Sequence, residues 1–280
     1  MNSLFGLAQR MMNSVIRVLA GFIEYKKAEH KWITSEQSGT SQTELIGHVL
    51  VVKNQKYAQV ARICIASFLH FHPSSRVVIH CDGTTIKSMK KNAKFGIHAK
   101  RVRIVCDQDS DIPWQDSKLH LILALNGSRD FVMDADLKWN GSLEKLDGVT
   151  FFVRENPYNS NKNYELLFKA LGIESRSNEY MKNTSFFSWS GLNYPQQDFE
   201  SLETLLSRIY KESKKLEVPV EDQTSLVRIS EQLALSLFIR DSEAFYLKDT
   251  DAQFDGSFVE SSYFGATGTR FSMFGVTSRW

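Results

Sequence analysis

The sequence predicts an α/β fold with a central, mostly parallel sheet flanked by helices. Between residues 47 and 136, short apolar segments with strand character alternate with segments whose apolar residues recur at helical spacing. This alternation is typical of right-handed βαβ units, which bring consecutive strands into one parallel sheet. No glycine-rich GxGxxG or GxxxxGK(S/T) segment is present, so the sequence disfavours dinucleotide-binding dehydrogenases and P-loop enzymes.

Four strands and three helices are predicted in the first half of the domain. The strands are the apolar runs at residues 47–52, 76–82, 101–106 and 130–136, and the helical patterns lie at residues 57–71, 85–94 and 114–125. Pro73 marks the end of the first helix, because proline cannot continue one.

The second half of the sequence is less regular. Strand-like segments lie at residues 149–153, 185–189 and 243–247, and helical patterns lie at residues 164–171, 198–212 and 230–239. No internal repeat is visible, so we assign residues 47–280 to one domain.

The N-terminal part has a different pattern. Residues 1–34 are predicted to form an amphipathic helical segment, with apolar residues at three- and four-residue intervals from Leu4 to Phe22. The polar residues 35–46 form a predicted linker. Two interpretations stay open: residues 4–27 lie on an anionic membrane surface, or the helix packs on its own domain or a partner.

The composition of the chain argues against some classes of function. The 280 residues carry a formal net charge of +2, which is too close to neutrality for an extended nucleic-acid-binding surface. The cysteines Cys64, Cys81 and Cys106 are widely spaced and lack metal-ligand spacing, as expected for reduced thiols. We therefore expect a cytoplasmic protein without a nucleic-acid partner, either free or peripheral to the inner face of the membrane.

Two aspartates end the fourth predicted strand. Asp134 and Asp136 follow the apolar residues 131–133, and strand alternation would place both side chains on one side. Carboxylate oxygens suit hard divalent cations such as Mg²⁺ or Mn²⁺, which keep water or phosphate as further ligands. A bound cation would offset the repulsion between the two acids and hold a diphosphate.

Two other interpretations of this acidic pair remain. Asp136 could simply begin a solvated turn before Asn140 and Gly141. Alternatively, a strand followed by DxD is also found in phosphatases of the haloacid-dehalogenase type. Those enzymes normally have threonine or valine where this chain has Lys138, and their motif lies near the start of the chain.

Polar side chains also follow the other predicted strands. Lys53 and Asn54 follow the first strand, and Asp82 ends the second. Open parallel sheets bind ligands at the carboxyl ends of their strands, so we expect these residues to converge with Asp134 and Asp136 at one edge.

Three segments resemble nucleotide-sugar-dependent glycosyltransferases of the GT-A fold. They are VVKNQKYAQVARICIASFLHFHP, RVVIHCDG and SKLHLILALNGSRDFVMDADLKWNGSLEKL. Within the last, DADLKWNGSLEKL is similar to the DADxxxxGxLxxL pattern of family-8-like sequences. The resemblance covers residues 47–280 and implies a GT-A fold and a hexosyltransferase-like enzyme.

The resemblance implies a metal-assisted reaction. Asp134 and Asp136 would coordinate Mn²⁺ or Mg²⁺ on the donor diphosphate, and Ala135 between them would also contact the donor. The cation would act as a Lewis acid on the departing nucleoside diphosphate, which gives Asp136 a catalytic role. Many relatives supply a C-terminal histidine as third ligand, but no histidine follows His120 here.

The resemblance also assigns donor-binding residues. Asn54, Tyr57 and Asp82 would hold the nucleoside, and Lys118 would approach the phosphates or the donor sugar. Each has a plainer interpretation. Tyr57 could be a packing residue at the start of a helix, Asp82 a turn acid, and Lys118 a solvated helix charge.

Two further residues are implied near the acceptor. KNTSFFSWSG resembles the strand that lines the donor-sugar and acceptor region, so Trp189 would stack on a sugar or else be a buried aromatic. SEQLALSLFIR resembles the helix whose leading acid faces the acceptor. Glu231 would then be the acceptor-side carboxylate, a general base if the reaction inverts, and Glu221 and Asp222 compete for that role.

We therefore expect sugar transfer from a nucleotide sugar to a hydroxyl of a glycan or lipid-linked acceptor. A UDP-sugar is favoured by family frequency alone. The alternatives are a metal-dependent phosphatase and a sugar- or nucleotide-binding scaffold without turnover.

Overall fold

The computed structural model describes most of the predicted domain. The described residues are 30, 34, 44–53, 57–135, 137–139, 141–143, 146, 148–152, 162–173, 182–228, 230–239, 244–247, 259–260, 269–272 and 275–279. Of the predicted N-terminal segment and linker, only residues 30, 34 and 44–46 are among them. The amphipathic helix over residues 4–27 therefore lies outside the described residues and stays a prediction, as do the domain boundaries.

The strands follow the apolar runs of the sequence. In chain order they are β1 (Ile46–Val51), β2 (Arg76–Asp82), β3 (Val102–Gln108), β4 (Phe131–Met133), β5 (Lys138–Trp139), β6 (Val149–Phe152), β7 (Asn183–Ser188), β8 (Ala244–Leu247), β9 (Val259–Glu260), β10 (Thr269–Ser272) and β11 (Gly275–Arg279).

The helices connect these strands in the order that the alternation predicts. They are α1 (Tyr57–Phe71), α2 (Ile86–Asn92), α3 (Trp114–Ala124), α4 (Lys162–Leu171), α5 (Gln196–Ser213), α6 (Val220–Arg228) and α7 (Ser230–Phe238), with a short 3₁₀ helix at Gly96–Arg101. Among the described residues, no helix is both long and apolar enough to cross a membrane.

Seven strands form the central sheet in the order β3-β2-β1-β4-β7-β6-β8. β1 is parallel to both of its neighbours, β2 and β4, and β2 is parallel to β3. β7 is antiparallel to β4 and to β6, while β6 and β8 are parallel. The chain order reverses between β1 and β4, and the carboxyl ends of strands at such a reversal form a crevice suited to ligands.

Two apolar cores cover the two faces of the sheet. Val49 and Val51 of β1 pack into the first core, which includes α1, because alternate side chains of a strand share a face. Leu50 and Val132 point the other way and pack with α3, α5 and α7 in the second core. The site described below lies where residues of both cores meet the end of β4.

The predicted α/β class, a central and mostly parallel sheet flanked by helices, is confirmed, since four of the six strand pairings in the sheet are parallel. Helix α6 was not predicted. It begins directly after Pro219, whose carbonyl accepts a hydrogen bond from the Gln223 amide at 3.0 Å, a position where proline suits a helix start.

The predicted strand at residues 130–136 begins one residue before β4 and is wrong at its carboxyl end. β4 stops at Met133, and the Leu137 amide donates a hydrogen bond to the Asp134 carbonyl at 3.2 Å. The chain therefore turns between these residues. The alternation on which that prediction depended ends with Met133, and Asp136 lies outside the described residues.

Candidate active site

Asp134 is held at the carboxyl end of β4 by three backbone contacts. Its amide donates to the Ser185 carbonyl of β7 at 2.8 Å. Its carbonyl accepts from the Leu137 amide at 3.2 Å and from the Cys64 thiol of α1 at 3.4 Å. The backbone at Asp134 is thus tied to β7 and α1, while its side chain keeps 28% exposure.

Lys118 is the charged partner of Asp134. Its Nζ lies 2.6 Å from Asp134 Oδ1 and 3.7 Å from Glu231 Oε1, and its side chain is only 3% exposed. The alternative of a solvated helix charge is therefore excluded for this lysine. A buried ammonium requires a paired anion, and among the described residues the carboxyl groups of Asp134 and Glu231 both lie within 4 Å of it.

Glu231 is the most deeply buried member of this group. It lies in the first turn of α7 with 0% exposure. The Thr184 hydroxyl donates to its Oε1 at 3.3 Å, whereas Oε2 has no hydrogen-bond partner among the described residues. Burial raises the pKa of Glu231 to about 7; the Lys118 ammonium lowers it and the Asp134 charge raises it further.

Such a pKa gives Glu231 an unusual charge state for a glutamate. A carboxyl with a pKa near 7 is divided between its acid and carboxylate forms around neutral pH. Strongly shifted carboxyls with a defined charged partner are typical of functional sites. Together, Lys118, Asp134 and Glu231 form one cluster, the acidic–lysine cluster, which joins α3, the end of β4 and the start of α7.

Neighbouring polar residues fix the helices that carry this cluster. The Tyr210 hydroxyl of α5 donates to Asp116 Oδ1 of α3 at 2.9 Å, and burial raises the pKa of that tyrosine. The Gln115 amide group and the Ser230 hydroxyl both donate to the Val227 carbonyl, at 3.2 and 2.7 Å. The starts of α3 and α7 are therefore joined through one carbonyl at the end of α6.

Sequence reasoning did not find Thr184, Tyr210 or Asp116. Thr184 occupies a buried position of β7 that alternation alone would assign to an apolar residue. Tyr210 and Asp116 are far apart in the chain, and neither belongs to a motif. Only the packing of α5 on α3 makes their hydrogen bond predictable.

Asp82 is the last residue of β2, and its carboxylate bonds to the turn that follows and not to the acidic–lysine cluster. It is fully buried. Its Oδ2 accepts from the Lys53 amide at 2.7 Å, and its Oδ1 accepts from the amides and hydroxyls of Thr84 and Thr85 at 2.7–3.0 Å. Burial alone would raise the pKa of Asp82, but these donors bring it below the ordinary value.

These bonds give Asp82 a local role at the sheet edge. Lys53 has a φ of 60°, a left-handed conformation that is uncommon for a residue with a side chain. The bond from its amide to Asp82 holds the end of β1 in that conformation. Asp82 therefore fixes the strand ends beside the candidate site, which agrees with the plainer interpretation as a turn acid.

Two predicted donor-binding residues differ in exposure. Tyr57 begins α1 and is partly buried against the first core. Ala135 is 4% exposed and belongs to the same core. Asn54 and Asp136 lie outside the described residues, so their predicted roles stay predictions.

Trp189 packs inside the protein. It is fully buried, and its indole N–H donates to the Ile122 carbonyl at 2.7 Å. Its ring contacts Phe187, Tyr194 and Phe199 at centroid distances of 4.8, 5.1 and 5.7 Å. No face of this ring is open to a sugar in the structure, which corresponds to the buried-aromatic interpretation.

The cluster offers one described ligand to a metal ion. Asp134 presents a partly exposed carboxylate at the sheet edge, with one oxygen bonded to Lys118, and oxygen donors of this kind suit Mg²⁺ or Mn²⁺. Within the part of the chain that the structure describes, no group of three or more histidine, cysteine or acidic side chains could hold a metal ion.

No protein-family model and no curated protein sequence match the chain. Solved structures do show similarity. Galactosyltransferase LgtC in complex with donor and acceptor sugar analogs matches with a TM-score of 0.48 and 10% identity, over 73% of this chain and 73% of that chain. Mouse xyloside xylosyltransferase 1 matches with a TM-score of 0.39 and 10% identity, over 73% and 85%.

A third similar structure is the mannosyltransferase from Pyrobaculum calidifontis in complex with GDP-Man and Mn²⁺. Its TM-score is 0.33 and its identity 10%, over 77% of both chains. All three are glycosyltransferases. Their TM-scores are below 0.5, so the functional conclusion depends on the residues of the site.

Proposed function

We propose that this protein is a glycosyltransferase that moves a sugar from a nucleotide sugar to a hydroxyl of a glycan or lipid-linked acceptor. A UDP-sugar is the favoured donor. The observation that supports this proposal is the acidic–lysine cluster, which lies at the carboxyl end of β4, where the strand order reverses. That edge is where open α/β sheets bind their ligands.

Asp134 and Asp136 are the proposed ligands of a divalent cation, Mn²⁺ or Mg²⁺. The partly exposed carboxylate of Asp134 fits a hard cation. When bound, the cation would neutralise the charge that develops on the departing nucleoside diphosphate.

Lys118 is proposed to adjust the charge of the site. Its ammonium bonds to Asp134 at 2.6 Å and lies 3.7 Å from Glu231. With a cation at Asp134, the ammonium would be repelled toward Glu231, the other carboxylate near it among the described residues. Lys118 would then keep Glu231 in its charged form, since a neighbouring positive charge favours the carboxylate.

Glu231 is the proposed acceptor-side carboxylate. Its Oε2, which has no partner among the described residues, is the atom that would accept a proton from the acceptor hydroxyl if the reaction inverts. The side chain is fully buried, so this contact requires acceptor binding to open the start of α7.

A phosphatase of the haloacid-dehalogenase type is not favoured. β4 lies mid-chain between the parallel β1 and the antiparallel β7. Lys138 stands where that class normally has threonine or valine.

Ligand binding provides the first test. We expect a UDP-sugar with Mn²⁺ to raise the melting temperature of the wild type, because a ligand that binds only the folded state stabilises it. Asp134→Asn should remove this rise, whereas Glu200→Gln, at an exposed position of α5, should keep it.

Turnover provides the second test. UDP release in the presence of an acceptor should fall at least about a hundredfold in Asp134→Asn, since a bound cation contributes several kcal/mol to such reactions. Release of free phosphate from phosphate esters would support the phosphatase instead. Donor binding without turnover across a broad acceptor panel would support a binding scaffold. Either result contradicts the proposal.

A further inference from the structure

Positive charge is concentrated in one segment of the chain. Residues 83–106 contain seven lysines and arginines and no aspartate or glutamate. The formal net charge of the whole chain is only +2, so all residues outside this segment together carry a formal net charge of −5. None of the three residues of the acidic–lysine cluster belongs to this segment.

Helix α2 turns its lysines outward. Lys87, Lys90 and Lys91 recur at three- and four-residue spacing, which places them on one face of the helix. All three are exposed, whereas Met89 on the opposite face is fully buried in the first core. Lys94 continues the exposed row just after the helix.

The segment after α2 contains one exposed apolar side chain, which lies between Lys94 and Lys100 in the sequence. Ile97 is 55% exposed, although Phe95 and His98 on either side of it are 2% and 0% exposed. Arg101 anchors the same segment by donating hydrogen bonds to the Leu69, His72 and Pro73 carbonyls at 2.8–2.9 Å. Because Phe95, His98 and Arg101 fix the backbone of this segment, the Ile97 side chain stays exposed to solvent, and in the sequence it lies between the exposed Lys94 and Lys100.

We propose that this basic surface, formed by Lys87, Lys90, Lys91, Lys94, Lys100 and Ile97, docks on an anionic lipid bilayer. Lysines near such a bilayer are attracted to its negative surface potential, and an exposed apolar side chain of the same segment, Ile97, would enter the headgroup region. In the part of the chain that the structure describes, none of the five lysines forms an ion pair with an acidic side chain.

The chemistry of the basic surface favours lipid over nucleic acid. The five cations of this surface are lysines, which act as point charges, whereas arginine forks suit bidentate contacts with phosphates and base edges. Of the two arginines in residues 83–106, Arg101 is bonded to backbone carbonyls and Arg103 is the one that is exposed. The segment has one aromatic residue, Phe95, and it is buried, so no exposed ring is available to stack on a base.

Vesicle binding tests the proposal. The full-length protein should sediment with vesicles of phosphatidylserine and phosphatidylcholine, and less with phosphatidylcholine alone. The triple variant Lys87→Gln, Lys90→Gln, Lys91→Gln should bind about a hundredfold more weakly, because each lysine near the bilayer contributes about a fivefold factor. Higher salt should weaken wild-type binding.

A control variant has the same change of charge elsewhere. Lys211→Gln, Lys214→Gln, Lys215→Gln alters three exposed lysines in and just after the last turn of α5 and should bind like the wild type. Ile97→Ser should weaken binding severalfold without changing the charge.

Three outcomes would overturn the proposal. The first is equal binding by the wild type and the variant at positions 87, 90 and 91, which would assign membrane contact to another part of the chain. The second is equal binding to vesicles with and without phosphatidylserine. The third is binding to DNA or RNA in preference to vesicles. None of these measurements depends on glycosyl transfer.

Discussion

The buried carboxyl of Glu231 gives a quantitative prediction for the variant Glu231→Gln. The folded-state pKa of Glu231 is raised from 4.5 to about 7 by burial. Between these values the folded protein holds a proton that the unfolded chain releases. The free energy of unfolding of the wild type must therefore fall as pH rises from 4.5 to 7 because of this residue.

The size of this effect follows from the pKa difference. A difference of about 2.5 pKa units, at 1.36 kcal/mol for each, amounts to roughly 3 kcal/mol. Glutamine has nearly the shape of the protonated acid but cannot ionise. Relative to the wild type, Glu231→Gln should gain roughly 3 kcal/mol between pH 4.5 and pH 7, and the difference should then stay constant.

Denaturant unfolding of both proteins across this pH range measures the difference directly. Contributions from histidines and acids outside the acidic–lysine cluster are common to both proteins and cancel in the subtraction. Glu200→Gln, an exposed carboxyl of α5, provides the reference curve. If the difference between Glu231→Gln and the wild type does not change with pH, Glu231 is not held neutral by burial and our account of the cluster is wrong.

Three further predictions concern the residues around the site. Asp82→Asn should cost about 2 kcal/mol at neutral pH, because charge-assisted hydrogen bonds to buried donors are lost. Since the pKa of Asp82 is lowered, this contribution is present above the ordinary value of 3.8 and disappears as pH falls, which acid titration of both proteins would reveal. His72 accepts from the Leu143 amide and burial lowers its pKa from 6.5 to about 4, so the wild type should lose roughly 3 kcal/mol relative to His72→Gln as pH falls through this interval. Gly47→Ala should cost about 1–3 kcal/mol in the unfolding free energy by overpacking, since its Cβ would lie 3.1 Å from side-chain atoms of Phe131 and Met133; an unchanged denaturation midpoint would contradict it.

The sequence predicted most of the elements because their signals are local. The period of apolar residues defined α1 and β2 with the bounds that the structure has, and Pro73 follows closely on the end of α1. β4 was predicted too long, because the turn that follows it depends on a hydrogen bond between Leu137 and Asp134 and not on residue pattern.

The site was only partly predictable, for a different reason. The acids after β4 are visible as a motif, but the contact between Lys118 and Glu231 joins α3 to α7, and no local pattern connects these helices. The burial of individual site residues could not be predicted from the sequence either. Neither the full burial of Trp189 nor the saturation of the Asp82 carboxylate by turn donors follows from residue type, since both depend on how other segments pack.

The attachment of Asp134 to β7 has a consequence for experiments on dynamics. Its amide proton is bonded to the Ser185 carbonyl, so exchange with deuterated solvent requires β4 and β7 to separate in the middle of the sheet. Openings of that extent approach unfolding of the whole domain. The exchange rate at this single amide should therefore track the global unfolding equilibrium, and it offers a spectroscopic probe of overall stability located beside the proposed metal ligand.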